Sequence, residues 1–255
     1  MNKTTKYVLY DIIRNRFVIG YMVLLAIISF SFFNFESDSN KGLLSLLNII
    51  LIVVPLVSII FSTIHFYNSY EFIELMAAQP LSRSTIFLSE YVGVAFSLGL
   101  AFLVGVGIPA IIFDGSQRAL VLVVSGLLLT LSFVALAFLA SVLTRDKAKG
   151  IGISLALWFY FALVYDGIVL GILFSFSDYP LEKIMLILTA LNPSDLARIM
   201  VLMKMDISAL MGFTGAVFQD FFSTNYGLFV ALFVLVLWVI IPITIATKIF
   251  NKKDL

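Results

Sequence analysis

Six long apolar runs constrain this chain of 255 residues more than any other feature. The hydrocarbon core of a bilayer is about 30 Å thick and needs about 20 apolar residues in a helix, whereas a membrane-spanning β-strand needs only about 10. The runs are too long for barrel strands. We therefore predict an all-α integral membrane protein with six transmembrane helices, at residues 17–33, 43–64, 86–113, 119–143, 150–174 and 227–249.

The composition agrees with this class and excludes several functions. Hydrophobic residues make up 62% of the chain and charged residues 12%, against about half and about a quarter in soluble domains. There is no cysteine, which removes disulfides, thiolate metal sites and thiol catalysis. No GxxxxGK(S/T), HExxH or GxSxG motif occurs, so we expect no catalytic residue and no cofactor in this chain.

The distribution of basic residues predicts the orientation. If the N-terminus is inside, eleven of the sixteen lysines and arginines lie in inner segments, which places both termini in the cytoplasm. Residues 1–16 form either a short interfacial helix or merely a basic start. The first apolar run is not followed by a cleavage pattern of small residues, so we expect it to be retained as a helix.

A polar, amphipathic stretch at residues 66–85 separates the second apolar run from the third. Its apolar residues recur at helical spacing away from its acidic residues, which predicts a short helix with one apolar and one acidic side. Pro80 ends this helix because proline lacks an amide donor and restricts Gln79. Ser82 is placed to cap the next membrane helix. The apolar positions are Phe72, Leu75 and Met76, and the acidic ones are Glu71 and Glu74.

Two polar residues stand out in or beside the apolar runs. Asp166 lies well past the midpoint of the fifth run, where a carboxylate is costly unless it is paired, protonated or in a wet cavity. It is either a functional residue that links the two membrane faces or a structural one near the outer interface. His65, the only histidine, lies at the edge of the second run, where an interfacial hydrogen-bonding group is favoured over a metal ligand.

Small residues occur four apart in the third run and predict a close approach of a neighbouring helix. These residues are Gly93, Ser97, Ala101 and Gly105.

The segment at residues 175–226 is the only extramembrane region large enough to fold, and we expect it to be periplasmic. Asn192 and Pro193 predict a helix start, with Asp195 near the positive end of the helix dipole. An apolar stripe follows, and further short helices are expected at 206–212 and 214–222. We expect these amphipathic helices on the outer leaflet, partly covered by the bundle or by a partner. The stripe consists of Leu196, Ile199, Met200 and Met203.

The stretch after the second run resembles the signature of a transporter family. Its residues resemble the pattern E..EL...P.SR..I of the type 2 (ABC-2) permeases, with one residue more before Pro80; the helix of these permeases at this position docks into a cleft of an ATPase subunit. Glu90 departs from the pattern, because many of these permeases have a basic residue there. The resemblance implies an ATPase-coupling site formed by Tyr70, Glu71, Glu74, Leu75, Gln79, Pro80, Ser82 and Arg83.

Within that family the chain looks most like the NosY-like permeases, which serve maturation of the copper centre of nitrous-oxide reductase. The stretches WFYFALVYDGIVLG at 158–171 and the outer run at 192–222 carry this likeness. It implies a bacterial inner-membrane homodimer on a NosF-like ATPase dimer, which holds the ATP and Mg²⁺. It also implies a copper lipoprotein and a NosD-like periplasmic β-helical partner, the latter seated on Asn192, Asp195, Arg198 and Met203.

Copper itself has few ligands in this chain. Copper(I) prefers thiolate and thioether ligands, and there is no cysteine. Met200 and Met203 share one helix face and are secondary candidates, although methionine also fills apolar stripes. We therefore expect the permease to transmit ATP-driven movement to a periplasmic copper-handling partner. The alternatives are a generic ABC-2 exporter of lipid, drug or polysaccharide, and a non-transporting motility or assembly scaffold.

Overall fold

The computed structural model describes residues 12–36, 39–176, 182–205 and 225–252, and within them the chain forms helices and no strand. Residues 1–11 of the basic start and the short helices expected at 206–212 and 214–222 lie outside this part. The helices are α1 (Arg16–Phe35), α2 (Ser39–Asn68), α3 (Tyr70–Ala77), α4 (Arg83–Phe113), α5 (Gln117–Leu143), α6 (Lys147–Ser175), α7 (Glu182–Ala190), α8 (Pro193–Lys204) and α9 (Asn225–Lys252).

Six of these helices, α1, α2, α4, α5, α6 and α9, are long and apolar enough to cross a membrane. The predicted all-α fold with six spans is thus confirmed. Each predicted apolar run lies inside one of the six helices, and the helices extend a few residues beyond the runs at most ends. One π turn interrupts α4 at Leu103–Gly107, and another interrupts α6 at Tyr160–Val164.

Polar residues between the apolar runs cap the first turns of the helices that follow them. Ser82 accepts a hydrogen bond from the Thr85 amide, 3.2 Å away, and begins α4 as predicted. Asp146 caps α6 in the same way. The turn between α4 and α5 requires Gly115, whose φ of 57° is a left-handed conformation that favours glycine.

The central span is α5, which packs against α2, α4, α6, α8 and α9. By contrast, α1, α6 and α9 leave much of their apolar surface outside the protomer. The small residues of α4 allow α1 to cross it closely, as their spacing predicts. A Cβ added at Gly105 would lie 2.7 Å from the Leu25 Cβ and 2.9 Å from the Met22 carbonyl oxygen.

Hydrogen bonds between helix ends show which ends lie together at each end of the bundle. The end that carries α3, which we call the α3 end, also holds the α6 start, where Lys147 donates to the Asn68 side chain (2.7 Å). The last turn of α9 lies there too, because Ser84 and Asn251 hydrogen-bond. It follows that α6 finishes, and α9 begins, at the opposite end.

Helices α7 and α8 form a re-entrant pair between these two spans. The chain bends by 114° between them. Their junction lies halfway down the bundle, because Asn192 donates to the carbonyl of Phe161 (3.0 Å) and Trp238 donates to the carbonyl of Ala190 (3.0 Å). Phe161 and Trp238 are at the midpoints of α6 and α9.

These contacts correct the expected position of the outer helices. We expected α8 to lie on the outer leaflet, partly covered by the bundle or by a partner, but its first turn lies between the spans, level with the midpoints of α6 and α9. Backbone polar groups at that depth have no water and need partners within the protein. Trp238 and Asn192 supply two of them, and the Tyr165 hydroxyl donates to the Leu188 carbonyl (2.6 Å).

Candidate functional site

The short helix α3 is fixed to the bundle by its apolar side. Ile73 is fully buried in the hydrophobic core, and Phe72 and Met76 are half-buried beside it. Burial of one isoleucine side chain contributes about 1.5–3 kcal/mol. The helix packs on α2 and α4, so its orientation is set by the two spans that flank it in sequence.

The opposite side of α3 is exposed and mixes acidic and apolar residues. Glu71 and Glu74 are exposed, and Leu75, which we had grouped with Phe72 and Met76 on the apolar side, is 71% exposed. Leu75 follows Glu71 by four residues, one helical turn, and therefore shares its face. We call Glu71, Glu74 and Leu75 the exposed α3 face.

The remaining residues of the predicted coupling stretch lie beside this face at the same end. Gln79 and Pro80 are exposed in the turn after α3, and Ser82 and Arg83 are exposed where α4 begins. Tyr70 is half-buried at the start of α3. The structure thus gathers the predicted coupling residues on one end of the bundle.

A buried polar pair joins the base of α3 to α4. His65 Nε2 lies 2.9 Å from a Glu90 carboxylate oxygen and 3.3 Å from the hydroxyl of Ser69, the residue before α3. Glu90 is only 2% exposed. His65 therefore makes hydrogen bonds inside the protein, and the described residues contain no group of three or more His, Cys, Asp or Glu that could hold a metal.

The same base is tied to the turn between α5 and α6. The Tyr67 hydroxyl donates to the carbonyls of Ser141 (3.3 Å) and Thr144 (3.2 Å). In that turn the Lys149 amide donates to the Asp146 carboxylate (3.0 Å), which holds the pKa of this carboxyl below its usual range.

Aromatic rings pack the spans together at the same height. Phe66 of α2, Phe87 of α4 and Phe138 of α5 contact one another edge to face, and Phe250 of α9 stacks on Phe87 (ring centroids 4.8 Å apart). Aromatic packing therefore holds four spans, α2, α4, α5 and α9, together near the α3 end.

A second polar site lies between α6 and α8, about 7.5 Å beyond the midpoint of α6 towards the end of the bundle opposite α3. Arg198 donates to the Asp166 carboxylate (3.2 Å) and also to the Asp195 carboxylate. Asp166 is thus paired, which satisfies one of the conditions for a carboxylate at this depth. The side chains of Arg198 and Asp166 are 37% and 35% exposed, and that of Asp195 is largely buried. We call these three residues the ion-pair cluster.

The ion-pair cluster borders a cavity of about 260 Å³. Ser194 lines this cavity, and its buried hydroxyl has no hydrogen-bond partner among the described residues. Asn48 and Ile52 of α2 are exposed at its rim. The cavity thus opens on the flank of the bundle between α2 and α6.

The π turn of α6 explains how α8 is held against this flank. A π turn frees a backbone carbonyl from the regular helical ladder, and such turns recur at functional sites. Here the Phe161 carbonyl, inside the π turn, accepts the hydrogen bond from Asn192, whose side-chain oxygen also accepts from the Ser194 amide (3.0 Å). The predicted cap at Asn192 therefore has a second role in docking the helix start.

The residues predicted for a periplasmic partner are mostly inside the protein. Asn192, Asp195 and Met203 are buried, and only Arg198 is partly exposed. Their contact with a periplasmic partner stays a prediction, and among these four residues Arg198 offers the most exposed side chain. Met200 and Met203 lie in the hydrophobic core, so packing alone accounts for both.

Several residues escaped the sequence reasoning. Glu90 was noted only as a departure from a signature and His65 only as a lone histidine, although a buried acid and a lone histidine in neighbouring spans are natural partners. Ser194 and Trp238 gave no signal, because their roles depend on the re-entrant pair.

A bundle with six membrane-spanning helices and one short helix packed on its end after the second span is a multi-pass membrane protein. The chain belongs to the ABC-2 family transporter proteins, whose family model matches residues 9–255. Membership makes it a membrane subunit, not itself catalytic, that works with an ABC ATPase, and places it in the bacterial inner membrane.

Two relatives cover most of the chain. It is 26% identical over 266 residues to the probable ABC transporter permease protein NosY of Pseudomonas aeruginosa. This alignment covers 96% of this chain and 95% of that protein. It is 25% identical over 210 residues to the protein of the same name from Stutzerimonas stutzeri, which covers 74% of this chain and 76% of that protein.

Proposed function

We propose that this chain is the permease subunit of an ATP-driven complex that supports copper-site assembly of nitrous-oxide reductase. It would couple ATP hydrolysis by a NosF-like ATPase dimer in the cytoplasm to a NosD-like periplasmic partner that handles copper. The similarity to NosY over nearly the whole chain supports the specific role. The observation that carries the coupling role is the exposed α3 face on a helix that is anchored by Ile73.

Movement of α3 would be transmitted through its base. The His65–Glu90 hydrogen bond joins it to α4, and the Tyr67 hydroxyl joins it to the α5–α6 turn. A displacement at the exposed α3 face would therefore move α4 and α6 together. Because α6 carries Asp166, which Arg198 links to α8, the movement would reach the re-entrant pair. This chain of contacts would connect an α3 end in the cytoplasm with the segment that we propose leads to the periplasm.

A homodimer is part of the proposal. In a lone protomer the partly exposed Arg198 and Asp166 would face lipid between α2 and α6, where even paired charges are costly. A second copy that covers the flank between α2 and α6 would remove them from lipid. The exposed apolar sides of α6 also offer surface for such contact.

Copper would be handled outside the membrane by the partner proteins. The methionines of α8 are packed in the core, and copper(I) is a poor match for the oxygen ligands of the ion-pair cluster. The permease would thus supply movement, and the periplasmic β-helical protein and a copper lipoprotein would hold the metal.

Purification of the full chain from its own host in mild detergent, with mass spectrometry of the co-purifying subunits, tests the assembly. We expect an ABC ATPase and a periplasmic β-helical protein. A deletion strain is then expected to produce nitrous-oxide reductase that lacks its copper site, as read by optical and electron paramagnetic resonance spectra, and the intact gene restores it.

Recovery of an ATPase without a periplasmic partner, together with a fully loaded reductase in the deletion strain, would contradict the copper role and favour a generic ABC-2 exporter. Recovery of neither subunit would contradict the coupling role as well and favour a non-transporting scaffold.

A further inference from the structure

We propose that a groove between α1 and α4 binds one anionic phospholipid of the phosphatidylglycerol type, taken from the leaflet at the α3 end. An acyl chain lies in this α1–α4 groove, and the phosphate lies at Arg14. The inference goes beyond the proposed function and depends neither on the ATPase nor on copper. It rests on the shape of the groove, on its depth in the membrane and on the charge beside it.

The α1–α4 groove is the space left between two helices that run in the same direction, away from the α3 end. The helices are in close contact further along, where a Cβ added at Gly105 would lie 2.7 Å from the Leu25 Cβ. The residues that line the groove precede this contact on both helices, so the groove lies on the α3 side of the crossing. Its volume is about 560 Å³, within the range of about 300–1,000 Å³ that small-molecule sites have.

The walls of the groove suit a hydrocarbon chain. The Ser97 hydroxyl in the wall donates to the Gly93 carbonyl (2.8 Å), so it has no need of a polar ligand. An apolar surface of this kind gains nothing from a polar solute, which would lose its hydration there. The flank that we propose for the second copy lies elsewhere, between α2 and α6, which leaves the groove to lipid. The apolar wall residues are Val18, Ile19, Met22, Leu100 and Ala101.

Arg14 lies at the depth of the lipid headgroups. The 30 residues of α2 make a helix about 45 Å long, which projects about 7 Å beyond each side of a hydrocarbon core of about 30 Å. The Phe17 ring stacks on the Phe61 ring (centroids 5.0 Å apart), and Phe61 lies about 10 Å before the end of α2 at Asn68. Phe17 is therefore just inside the hydrocarbon, and Arg14, which precedes α1, reaches the headgroup layer.

The charge beside the groove complements a phosphate. Arg14 lines the groove near the start of α1, and Arg16 is exposed two residues later. No acidic side chain of the described residues lines the groove. In the sequence, the first 16 residues contain four basic residues and one acid. Basic residues next to a span attract anionic headgroups, and a guanidinium can bind a phosphate through two parallel hydrogen bonds. A zwitterionic headgroup carries no net charge and is attracted less.

Lipid titration of the purified full-length chain tests the site. The chain is stripped of lipid in detergent, mixed with phosphatidylglycerol or with phosphatidylcholine of the same acyl chains, and analysed by native mass spectrometry. We expect one lipid per chain to be retained, at about fivefold lower concentration for phosphatidylglycerol, the effect of one basic residue near an anionic headgroup. Glycerol phosphate, which carries the charge without acyl chains, should not compete at the same concentration.

Substitution of the arginine locates the headgroup. Arg14→Gln is expected to reduce the preference for phosphatidylglycerol about fivefold, and Arg14→Lys to retain most of it. The control is Arg145→Gln, which removes an exposed arginine in the turn between α5 and α6 at the same end of the bundle. This control should leave the preference unchanged.

A second substitution locates the acyl chain. Leu100→Trp fills the groove and is expected to weaken the binding of both lipids. Leu88→Trp is the matched control, because Leu88 lies on the same helix and is similarly exposed (40% against 36%) but does not line the groove. The variants are compared after their unfolding temperatures show that they are folded. If Arg14→Gln does not fold, Leu100→Trp decides.

Equal retention of the two lipids by the folded wild type would overturn the proposal. Equal losses of preference in Arg14→Gln and Arg145→Gln would also overturn it, because the lipid would then respond only to the general charge of this end. The same holds if Leu100→Trp binds both lipids as the wild type does. Retention of no lipid by the wild type would overturn the site and favour coverage of the groove by another part of the chain or by a second copy.

Discussion

At the scale of single residues, Arg198 is the group on which the ion-pair cluster depends. It is the only cation that faces the two carboxylates among the residues lining the cavity. Removal of one partner from such a group leaves unpaired charge, which is far more unfavourable than removal of the whole group.

We predict that Arg198→Met lowers the free energy of unfolding by about 2–4 kcal/mol, because it leaves Asp166 and Asp195 unpaired. The double variant Arg198→Met with Asp195→Asn should recover part of this loss. Thermal or denaturant unfolding in detergent measures both. The control is Arg16→Met, which removes an exposed arginine at the start of α1 and should change stability by less than about 1 kcal/mol. Equal effects of the two variants would contradict the role of Arg198.

The His65–Glu90 pair gives the second prediction at this scale. Glu90→Ala should lower the free energy of unfolding by about 1–3 kcal/mol, since it leaves His65 without its buried partner. Glu90→Gln retains a hydrogen-bonding side chain of similar size and should lose less. The measurement is again the unfolding transition of each variant. A larger loss in Glu90→Gln than in Glu90→Ala would show that the hydrogen bond to His65 is not what holds Glu90 in place.

The sequence predicted some of these residues and missed their pairing. Asp166 stood out because a charge in an apolar run is rare, and Ser82 and Asn192 because caps follow local rules. The bonds from Asp166 to Arg198 and from His65 to Glu90 join residues far apart in the chain. No local pattern reports such a pairing.

At the scale of elements, α3 separates two functions on its two sides. The buried side holds the helix in place, and the exposed α3 face is free for a partner. Substitutions on the two sides should therefore have different consequences.

We predict that Glu71→Lys or Glu74→Lys uncouples the ATPase while the chain still inserts and folds, because both side chains are exposed and make no described contact that holds the bundle. ATPase activity of the purified complex that no longer responds to the permease, at a normal unfolding temperature, is the expected result. Ile73→Ala is the contrasting variant, with a stability loss of about 2–5 kcal/mol from the core. Normal coupling in both lysine variants would contradict the assignment.

The close crossing of α1 and α4 gives another prediction. Gly105→Ala should lower the free energy of unfolding by about 1–3 kcal/mol, because its Cβ would press against the Leu25 side chain and the Met22 backbone. Gly152→Ala in α6 is the matched control, since nothing lies within 4 Å of an added Cβ there. That variant should be neutral or more stable by up to about 1 kcal/mol. Equal stability of the two variants would mean that α1 does not pack on α4 in this way.

The re-entrant pair shows where reasoning about single elements fails. The apolar stripe of α8 was read correctly as helical, but an interfacial helix and a helix enclosed by a bundle carry the same stripe. An enclosed helix differs from an interfacial one in having a partner inside the bundle for its polar side. In α8 this partner is Asp166 of α6, which accepts a hydrogen bond from Arg198. Likewise the helix at α3 was predicted correctly, but Leu75 was grouped with Phe72 and Met76, whereas it lies on the exposed side with Glu71 and Glu74.

At the scale of the whole molecule, the fold followed from the lengths of the apolar runs alone. An apolar run as long as the hydrocarbon core of a bilayer is thick can cross it only as a helix, so six spans could be predicted without knowledge of any tertiary contact. The arrangement of the spans around α5 could not, because most residues of every span are apolar and the few polar ones do not by themselves indicate their partners. The packing depends on ring shapes and small residues, such as Phe138 and Gly105, whose neighbours only the fold supplies.

The central claim is that the exposed α3 face contacts an ABC ATPase in the cytoplasm. Because the chain has no cysteine, Leu75→Cys introduces a unique thiol for a photoreactive maleimide in membranes of the host. We predict that illumination joins this chain to an ABC ATPase, identified by mass spectrometry. Gln117→Cys, exposed at the opposite end of the bundle, should not capture it. Capture of the ATPase from Gln117 instead, or from neither position, would contradict the claim.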